Sequence, residues 1–341
     1  MKCSVIILNW NGVQMLRQYL PSVLANTPQD DIEVVVADNG STDGSLEWLR
    51  TQPVRLIVLD KNYGFAGGYN RAIAQVDSQY VVLLNSDVEV PQGWLTPLLQ
   101  CLDTNTDVAA VQPKVISWRS WQQVQNGEID TPLFEHAGAA GGQIDALGYP
   151  YCRGRLLSFI EHDKGQYDTP IDVFWATGAC MAVNRAVYMA LGGLDEYFFA
   201  HQEEIDLCWR MQCRGYRVKC EPQAVIYHLG AGTLSYESPR KTYLNFRNNL
   251  LMLYKNLPTN RLWWVMIVRF MLDYVAALQM LLTGHTSNFK AVVQARHDYL
   301  HTRKHYRALR QENMNAAVCK FPKTITHRSI IWDYYVRGKR K

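Results

Sequence analysis

Short apolar runs alternate with helical patterns along the N-terminal part of the chain. Four runs rich in Val, Ile and Leu predict strands at residues 4–8, 33–37, 54–59 and 80–84, and the continuous apolar run at 80–84 suits a strand buried on both faces of a parallel sheet. Helical periodicity separates these runs, at residues 13–25, at residues 46–51 and in a stretch that ends at Val76. Strands that alternate with helices in this order predict an α/β fold with a mostly parallel, doubly wound sheet.

A polar loop follows each predicted strand, at the edge of the sheet where ligands bind in open α/β folds. The run at residues 80–84 turns directly into Asn85, Ser86 and Asp87. A rigid strand would therefore hold the Asp87 carboxylate at the mouth of the fold, where it suits a hard divalent cation beside a phosphate. A solvated polar turn is the alternative, and this stretch alone favours neither.

The two common phosphate-binding fingerprints are missing. A GxGxxG pattern should follow the first strand, where the chain has Asn-Trp-Asn-Gly at residues 9–12, and the P-loop pattern is absent as well. Asp38, at the end of the second strand, can accept hydrogen bonds from a base or a ribose. Glycines at positions 64, 67 and 68 precede a helix, where backbone N–H groups can approach a diphosphate. Each position has an ordinary turn as its alternative, but their recurrence at successive strand ends favours a nucleotide site.

Taken in order, these motifs resemble the family 2 glycosyltransferases, most closely their rhamnosyltransferase-like branch. The resemblance covers roughly residues 4–234, through 4–12, 37–45, 62–70, 84–89, 176–181, 192–196, 203–210 and 227–228. Several motifs in the same order are specific, whereas any one of them alone would be weak.

The resemblance implies a GT-A fold, which is Rossmann-like with a mostly parallel central sheet. It also implies a nucleotide-sugar donor linked to UDP or dTDP, a divalent metal (Mg²⁺ or Mn²⁺) and an inverting single displacement. Carried over residue by residue, it places the nucleotide and donor contacts at Asn9, Asp38, Asn62, Gly67, Asn70, Asn85 and Ser86. Asp87 would bind the metal together with His228 and diphosphate oxygens. The family's metal motif opens with an acidic residue, whereas this chain has Asn85, which contributes no charge to the metal. Glu89 or another group would then assist in binding the metal.

Three carboxylates precede a helical stretch at residues 207–214. Inverting transfer needs a base near the acceptor hydroxyl, and adjacent residues face different directions, so at most one or two of the three reach it. By resemblance Glu204 holds the position of the base, and Glu203 and Asp206 are the alternative candidates for that role. The alternative is an acidic helix start that interacts with the helix dipole.

The acceptor side is predicted to lie in the second half of this region. Gly178 would allow close backbone approach, and Trp175 would either stack on a sugar or pack in the core. Residues 117–172 form a long, Gly- and aromatic-rich stretch, which we interpret as an ordered acceptor-side insertion. Within it, Arg153 and Arg155 would either meet an acceptor phosphate or be solvated.

Helical patterns dominate residues 235–341, which we predict to form a basic α-helical appendage to a GT-A domain at residues 1–234. Residues 262–282 are long and apolar enough to span a bilayer. Arg269 and Asp273 lie within this stretch, and each would cost about 2.5–3.5 kcal/mol at mid-membrane. An in-plane or protein-packed helix is therefore favoured. The basic residues from Lys290 onward suggest an anionic surface, either lipid or nucleic acid, with a solvated tail as the alternative. Beside the apolar stretch, we expect them to face anionic lipid head groups.

Composition changes this prediction little. The 341 residues carry a formal net charge of only +4, and the eight cysteines include no CxxC pair. The N-terminus enters a strand directly, without a signal-peptide pattern, so we expect a cytoplasmic protein. We place it at the inner face of the cell membrane and expect no nucleic-acid partner. We predict a hexosyl- or deoxyhexosyltransferase of cell-surface polysaccharide synthesis that acts on a glycan or lipid-linked acceptor. The alternatives are a sugar-nucleotide nucleotidyltransferase and a non-catalytic protein that binds nucleotide sugars or membranes.

Overall fold

The computed structural model describes residues 1–230 and 238–340. The strands are β1 (Cys3–Asn9), β2 (Ile32–Asn39), β3 (Arg55–Leu59), β4 (Tyr80–Asn85), β5 (Val88–Glu89), β6 (Val108–Ser117), β7 (Gly142–Asp145), β8 (Pro150–Cys152), β9 (Arg155–Leu156), β10 (Phe159–Ile160), β11 (Ile171–Asp172), β12 (Cys180–Asn184), β13 (Arg217–His228) and β14 (Ile325–Thr326). The helices are α1 (Val13–Asn26), α2 (Ser45–Leu49), α3 (Gly64–Ile73), α4 (Thr96–Thr104), α5 (Trp118–Gln125), α6 (Arg185–Ala190), α7 (Glu203–Cys213), α8 (Pro239–Asn256), α9 (Thr259–Leu282), α10 (Thr286–Thr302), α11 (Arg307–Asn315) and α12 (Ile330–Tyr335), with a 3₁₀ turn at Glu196–Phe198.

The central sheet contains nine strands in the order β11-β13-β6-β12-β4-β1-β2-β3, with β5 paired to β13. The four N-terminal strands run parallel to one another, as the apolar runs predict. β12 is antiparallel to both β4 and β6, while β13 and β6 are parallel. Helices cover both faces, and β1 and β4 bury side chains on both sides because each face packs against a separate apolar layer, whereas the edge strand β3 leaves Arg55 and Val58 exposed. The predicted α/β fold of GT-A type is confirmed.

The predicted insertion at residues 117–172 contains α5 and a second, five-stranded sheet in the order β10-β9-β8-β7-β14. β7 to β10 are antiparallel neighbours. β14 comes from the C-terminal region and pairs parallel with β7. The insertion is therefore ordered by the far end of the chain as well as by the central sheet.

The C-terminal helices share the core of the N-terminal domain. Leu250, Leu251 and Leu253 of α8 are fully buried in the same apolar layer as the helices on that face of the central sheet. The predicted boundary between residues 234 and 235 lies outside the described residues. The division into two domains stays a prediction, and its second part is packed closely on the first.

α9 presents two different faces. Its buried face carries Arg269 and Asp273, whose side chains form an ion pair with 3.1 Å between Nε and Oδ1, and Arg296 of α10 joins Asp273 at 3.3 Å. Its other face exposes large apolar side chains: Trp263, Ile267, Phe270, Met271, Val275, Leu278 and Leu282. By length and composition α9 is the one helix among the described residues that could cross a membrane, although little of it is buried in the protein.

Candidate active site

The carboxyl ends of β1 and β2 bring two predicted nucleotide contacts together. Asn9 and Asp38 are register partners on these parallel strands. The Asn9 side-chain amide donates to Asp38 Oδ1 at 2.9 Å, and the backbone N–H of Ser41 donates to Asp38 Oδ2 at 2.9 Å. Asn9 Oδ1 is buried and accepts no hydrogen bond from the described residues. A buried oxygen without a hydrogen-bond partner is costly, so this edge of the sheet is suited to an N–H or O–H group of a ligand.

The loop before α3 contains a second group of predicted donor contacts. Asn62 Oδ1 accepts the backbone N–H of Gly64 at 2.8 Å and the side-chain amide of Asn39 at 3.1 Å. Gly64 has a φ of +74°, and a Cβ there would lie 2.5 Å from the Phe199 ring. A Cβ on Gly67 would lie 2.9 Å from that of Tyr63. These residues therefore fix the shape of the loop, and their contact with a donor stays a prediction.

Asn70 lies on α3 and has a structural use. Its Oδ1 accepts from the Tyr188 hydroxyl at 2.6 Å and from the backbone N–H of Leu194 at 3.0 Å. Its amide donates to the Leu194 carbonyl at 2.8 Å. Asn70 therefore ties α3 to the segment that leads to α7, which uses most of its hydrogen-bonding capacity. Its predicted role in donor binding is untested.

The predicted metal ligands lie side by side. Asp87 follows β4, and the end of β13 brings His228 opposite Val88. Asp87 Oδ1 lies 3.1 Å from His228 Nε2, and Asn85 Nδ2 lies 3.3 Å from the same nitrogen. Both members of the pair are buried. Ser86, between Asn85 and Asp87, is half-buried at the same turn.

A second carboxylate, Glu135, completes this cluster. A strand-like bridge between Phe134 and Ile116 carries Glu135 to the site, where its Oε2 lies 3.4 Å from His228 Nδ1. Gly230 has a φ of +71°, and a Cβ there would lie 2.4 Å from Glu135 Oε1. Sequence reasoning missed Glu135 because it sits in a segment without periodicity, and its neighbour in space is almost 100 residues away along the chain. Glu89, the assistant suggested above, instead accepts the indole N–H of Trp118 at 2.6 Å.

The electrostatics of the cluster favour a positive charge. Burial opposes a charge on His228, but the carboxylates of Asp87 and Glu135 together raise its pKa to about 10. Burial alone would raise the pKa of Asp87, but the adjacent His228 holds it below its ordinary value. The same balance lowers the pKa of Glu135. Two ionised carboxylates therefore face a single cationic position.

Asp87 Oδ1 and His228 Nε2 lie at hydrogen-bond distance, 3.1 Å apart, and because the pKa of His228 is raised, a divalent cation would have to displace the proton of that ring. Two neighbouring ligands in an octahedral shell with bonds of about 2.1 Å lie about 3.0 Å apart, so the spacing of the pair would suit such an ion once the proton has left. Among the described residues, no group of three His, Cys, Asp or Glu side chains could hold a metal ion. The protein supplies two ligands here, so further oxygens would have to come from a substrate or water.

The three predicted acidic residues of α7 occupy different environments. Glu203 is buried and Glu204 is half-buried, and the Oε2 atom of each has no hydrogen-bond partner among residues 1–230 and 238–340. Asp206 is fully buried and accepts from Arg210 at 2.9 Å, from Lys255 at 2.9 Å and from the Asn256 amide at 2.8 Å. Asp206 therefore anchors α7 to α8, and only Glu203 and Glu204 have free carboxylate oxygens.

Burial raises the pKa values of these two carboxyl groups above the ordinary value of a glutamate. The pKa of Glu204 is raised to about 7. Burial, and then the charge of Glu204, raise the pKa of Glu203 well above its ordinary value. Glu204 is therefore the carboxylate of the pair that is ready to gain and lose a proton near neutral pH.

α8 holds the loop that aims these carboxylates. Phe199, His201 and Gln202 all have positive φ, between 63° and 76°, immediately before Glu203. The Asn248 amide donates to the carbonyls of Phe198, Ala200 and His201 at 2.9, 2.9 and 2.8 Å. Positive φ is unfavourable for residues with side chains, so these bonds offset local strain. The sequence alone assigns no role to the Arg-Asn-Asn run at 247–249, because it lies in a helical stretch without a recognised motif.

Backbone contacts join the groups at one edge of the sheet. The backbone N–H of Phe65 donates to the Phe199 carbonyl at 2.7 Å, which connects the start of α3 to the loop before α7. A Cβ on Gly178 would lie 3.0 Å from the Phe65 ring. The backbone N–H of Asn85 donates to the Ala179 carbonyl at 3.0 Å. The predicted donor, metal and acceptor segments therefore touch one another.

Trp175 packs inside the protein rather than in an open pocket. It is 4% exposed, and its indole N–H donates to the Gln143 carbonyl at 2.9 Å. Gly142 leaves the space for its ring, because a Cβ there would lie 2.2 Å from it. This is the core-packing alternative of the sequence analysis, and stacking of Trp175 on a sugar is untested.

Comparison with known proteins identifies the family. The family model described as "Glycosyl transferase family 2" matches residues 4–192, more than half of the 341-residue chain. The chain belongs to glycosyl transferase family 2, as its motifs predict.

Curated relatives are distant in sequence. The low-salt glycan biosynthesis hexosyltransferase Agl10 of Haloferax volcanii is 24% identical over 253 residues, 73% of this chain and 74% of its own. The N-acetylglucosaminyl-diphospho-decaprenol L-rhamnosyltransferase of Mycobacterium tuberculosis is 24% identical over 237 residues, 66% of this chain and 75% of its own.

Solved structures share the fold. TarS 1–349 of S. aureus in complex with UDP-GlcNAc has a TM-score of 0.53 at 17% identity, covering 93% of this chain and 89% of that one. GalNAc-T7 with UDP, GalNAc and Mn²⁺ has a TM-score of 0.58 at 15% identity, covering 76% of this chain. This chain spans about half of GalNAc-T7, 48%. At these identities the likeness establishes the fold alone.

Proposed function

We propose that this protein transfers one sugar, with inversion, from a nucleotide-sugar donor to a glycan or lipid-linked acceptor in cell-surface polysaccharide synthesis. The observation that carries the proposal is the Asp87–His228 pair, 3.1 Å apart at the carboxyl edge of the sheet, within a family 2 chain. The names of the hexosyltransferase and rhamnosyltransferase relatives support hexosyl or deoxyhexosyl transfer. A UDP- or dTDP-linked donor is our expectation for the nucleotide.

In this proposal the residues divide into donor and acceptor roles. Asn9 and Asp38 bind the nucleoside, and the loop before α3 lies against the sugar phosphate. Asp87 and His228 would hold Mg²⁺ or Mn²⁺, which supplies charge neutralisation for the departing diphosphate. Solved structures of the same fold that contain Mn²⁺ and a nucleotide or nucleotide sugar support a divalent metal.

Glu204 acts as the base. Its carboxylate takes the proton of the acceptor hydroxyl, whose oxygen forms a bond to the anomeric carbon while the bond from that carbon to the diphosphate breaks on the opposite side. This single displacement inverts the configuration. A base with a pKa near the working pH is the most efficient, and the pKa of Glu204 is raised to about 7.

The test is an acceptor-dependent assay for nucleoside diphosphate release. The intact protein is incubated with UDP-, dTDP- and GDP-sugars and Mn²⁺, with and without lipid-linked acceptors. Glu204→Gln should lower turnover at least 10²-fold and leave donor binding unchanged, whereas Glu47→Gln, an exposed control, should retain activity. Diphosphate release from NTP and sugar phosphate would instead identify a nucleotidyltransferase. Donor binding without turnover in any combination would identify a binding protein.

We also propose that the protein works at the inner face of the cell membrane through α9. Because Arg269 and Asp273 are buried in contacts with α8 and α10, the polar strip of α9 is satisfied by the protein. Its apolar face is left exposed. Such a helix suits an in-plane position at a lipid surface, and the basic C-terminal region adds attraction to anionic head groups.

A further inference from the structure

A cavity of about 280 Å³ opens on the small sheet that contains β8 and β9. Arg153 and Arg155 enter it from the two ends of the β8–β9 turn, whose centre is Gly154 with a φ of +87°. Arg328 and Arg340 enter it from the C-terminal region. Four arginines from two distant parts of the chain therefore line one cavity.

The two arginines of the turn are held by neutral partners. Arg155 donates to His136 Nε2 at 2.9 Å, and its Nε is buried with no hydrogen-bond partner in the described part of the chain. Burial and the adjacent Arg155 lower the pKa of His136 to about 4, so its neutral ring can accept this bond. The Arg153 guanidinium lies 4.7 Å from the centre of the Tyr167 ring and donates to the Ala140 carbonyl at 3.3 Å. Among the described residues, neither arginine has a carboxylate within 4.0 Å.

One carboxylate, Glu161, also lines the cavity. It accepts the Tyr167 hydroxyl at 2.9 Å and the Gln166 amide at 3.5 Å. Arg328 is paired with Asp333 at 3.4 Å. The cavity therefore retains a clear excess of positive charge, and a buried Nε–H without an acceptor is costly until a ligand supplies one.

A chain of contacts links the cavity wall to the candidate active site. His136, which accepts from Arg155, follows Glu135 in the chain. Glu135 in turn lies 3.4 Å from His228 Nδ1. Two consecutive residues of the insertion, Glu135 and His136, would therefore lie between His228 and a ligand bound by Arg155.

We propose that this cavity binds the phosphate or diphosphate group of an anionic acceptor. Guanidinium forks match phosphate oxygens in paired, charge-assisted hydrogen bonds, and the cavity supplies four of them. The inference rests on the proposed glycosyl transfer and extends it, because it assigns the acceptor to the class of phosphate-linked sugars. The donor diphosphate has its own position beside Asp87, so the two anions occupy separate sites.

The experiment measures binding of inorganic diphosphate to the full chain by calorimetry in EDTA, which removes binding that depends on a metal. Arg155→Gln should weaken this metal-independent binding at least about tenfold, and Arg155→Lys should restore part of it. Arg50→Gln removes an exposed positive charge elsewhere and should leave the affinity unchanged, as should Asp87→Asn. Circular dichroism and the melting temperature of each variant establish that it is folded.

Three binding results would overturn the proposal. Absence of binding in EDTA, or equal loss in Arg155→Gln and Arg50→Gln, excludes a specific site. An affinity that changes in Asp87→Asn but not in Arg155→Gln places diphosphate in the donor site. Binding to phosphatidylglycerol vesicles that is lost in Arg155→Gln assigns the cavity to lipid head groups. If diphosphate binds as expected but no sugar is transferred, the proposed function fails while the anion site remains.

Discussion

At the scale of single residues, Glu203 and Glu204 illustrate how one helix start can supply two carboxyl groups with different charges. Both are shielded from water, and burial is the largest cause of the raised pKa in each case. Glu203 is also disfavoured as an anion by the charge of its neighbour. Like charges this close titrate as a pair, so the ionisation of one carboxyl group opposes the ionisation of the other.

This difference predicts the pH dependence of transfer. Glu204 must be ionised to accept a proton, so kcat/KM should fall about tenfold per pH unit below a pKa of about 7. The measurement is the initial rate at low donor and acceptor concentration between pH 5 and pH 9, with Glu47→Gln as the control. An acidic limb near the ordinary glutamate pKa of about 4.3 would exclude Glu204 as the base.

The same burial makes a prediction about stability. Because the pKa of Glu203 is raised in the folded protein, the unfolded chain loses this proton first as the pH rises above about 4.5. Folding is then progressively disfavoured with rising pH. Glu203→Gln removes this effect and should raise the melting temperature at pH 8 by about 2–4 °C, with a smaller difference at pH 5. A difference independent of pH would contradict the raised pKa.

At the scale of elements, the loop before α7 depends on α8 for its conformation. Three residues in left-handed backbone conformations precede Glu203, and Asn248 donates to three carbonyls of this loop. Arg247 adds a bond to the Tyr197 carbonyl at 2.9 Å and also donates to Asn248 Oδ1. α8 therefore positions the candidate base without touching a substrate.

Asn248→Leu keeps the approximate side-chain volume but removes the donor. It should lower the free energy of unfolding by roughly 2–4 kcal/mol and reduce kcat more than it changes donor affinity, because the loop loses its anchor. Denaturant unfolding and steady-state kinetics measure the two effects. Asn313→Leu is the matched control, since Asn313 is also a buried helical amide but its Nδ2 has no partner. Equal effects of the two substitutions would remove the anchoring role.

The alternating pattern at residues 4–84 predicts the parallel half of the sheet well, because each strand there is a local apolar run. β13 is harder to identify, since its burial alternates and its register with β6 shifts twice. The metal-side carboxylate Glu135 and the loop anchor Asn248 are set by contacts between distant segments, which no local pattern encodes. The same holds for Arg328 and β14, which join the insertion only when the whole chain is folded.

At the scale of the whole molecule, the C-terminal helices have two functions in our proposals. α8 belongs to the core and shapes the active site, while α9 turns an apolar face outward from the same bundle. Since α9 is anchored by the buried Arg269–Asp273 pair, a transmembrane orientation would have to break contacts with α8 and α10. The in-plane orientation keeps these contacts and would bring lipid-linked acceptors to the enzyme along the membrane surface.

This orientation predicts binding to anionic vesicles that depends on the exposed face of α9. Val275→Glu/Leu278→Glu places two charges on this face, where the side chains are 65% and 51% exposed. It should weaken flotation with phosphatidylglycerol vesicles about tenfold or more, because apolar burial is lost and like charges repel. Val58→Glu/Met189→Glu adds the same two charges at side chains that are 54% and 44% exposed elsewhere, and it should still float. Flotation by both double variants, or by neither, would show that α9 does not direct the protein to the membrane.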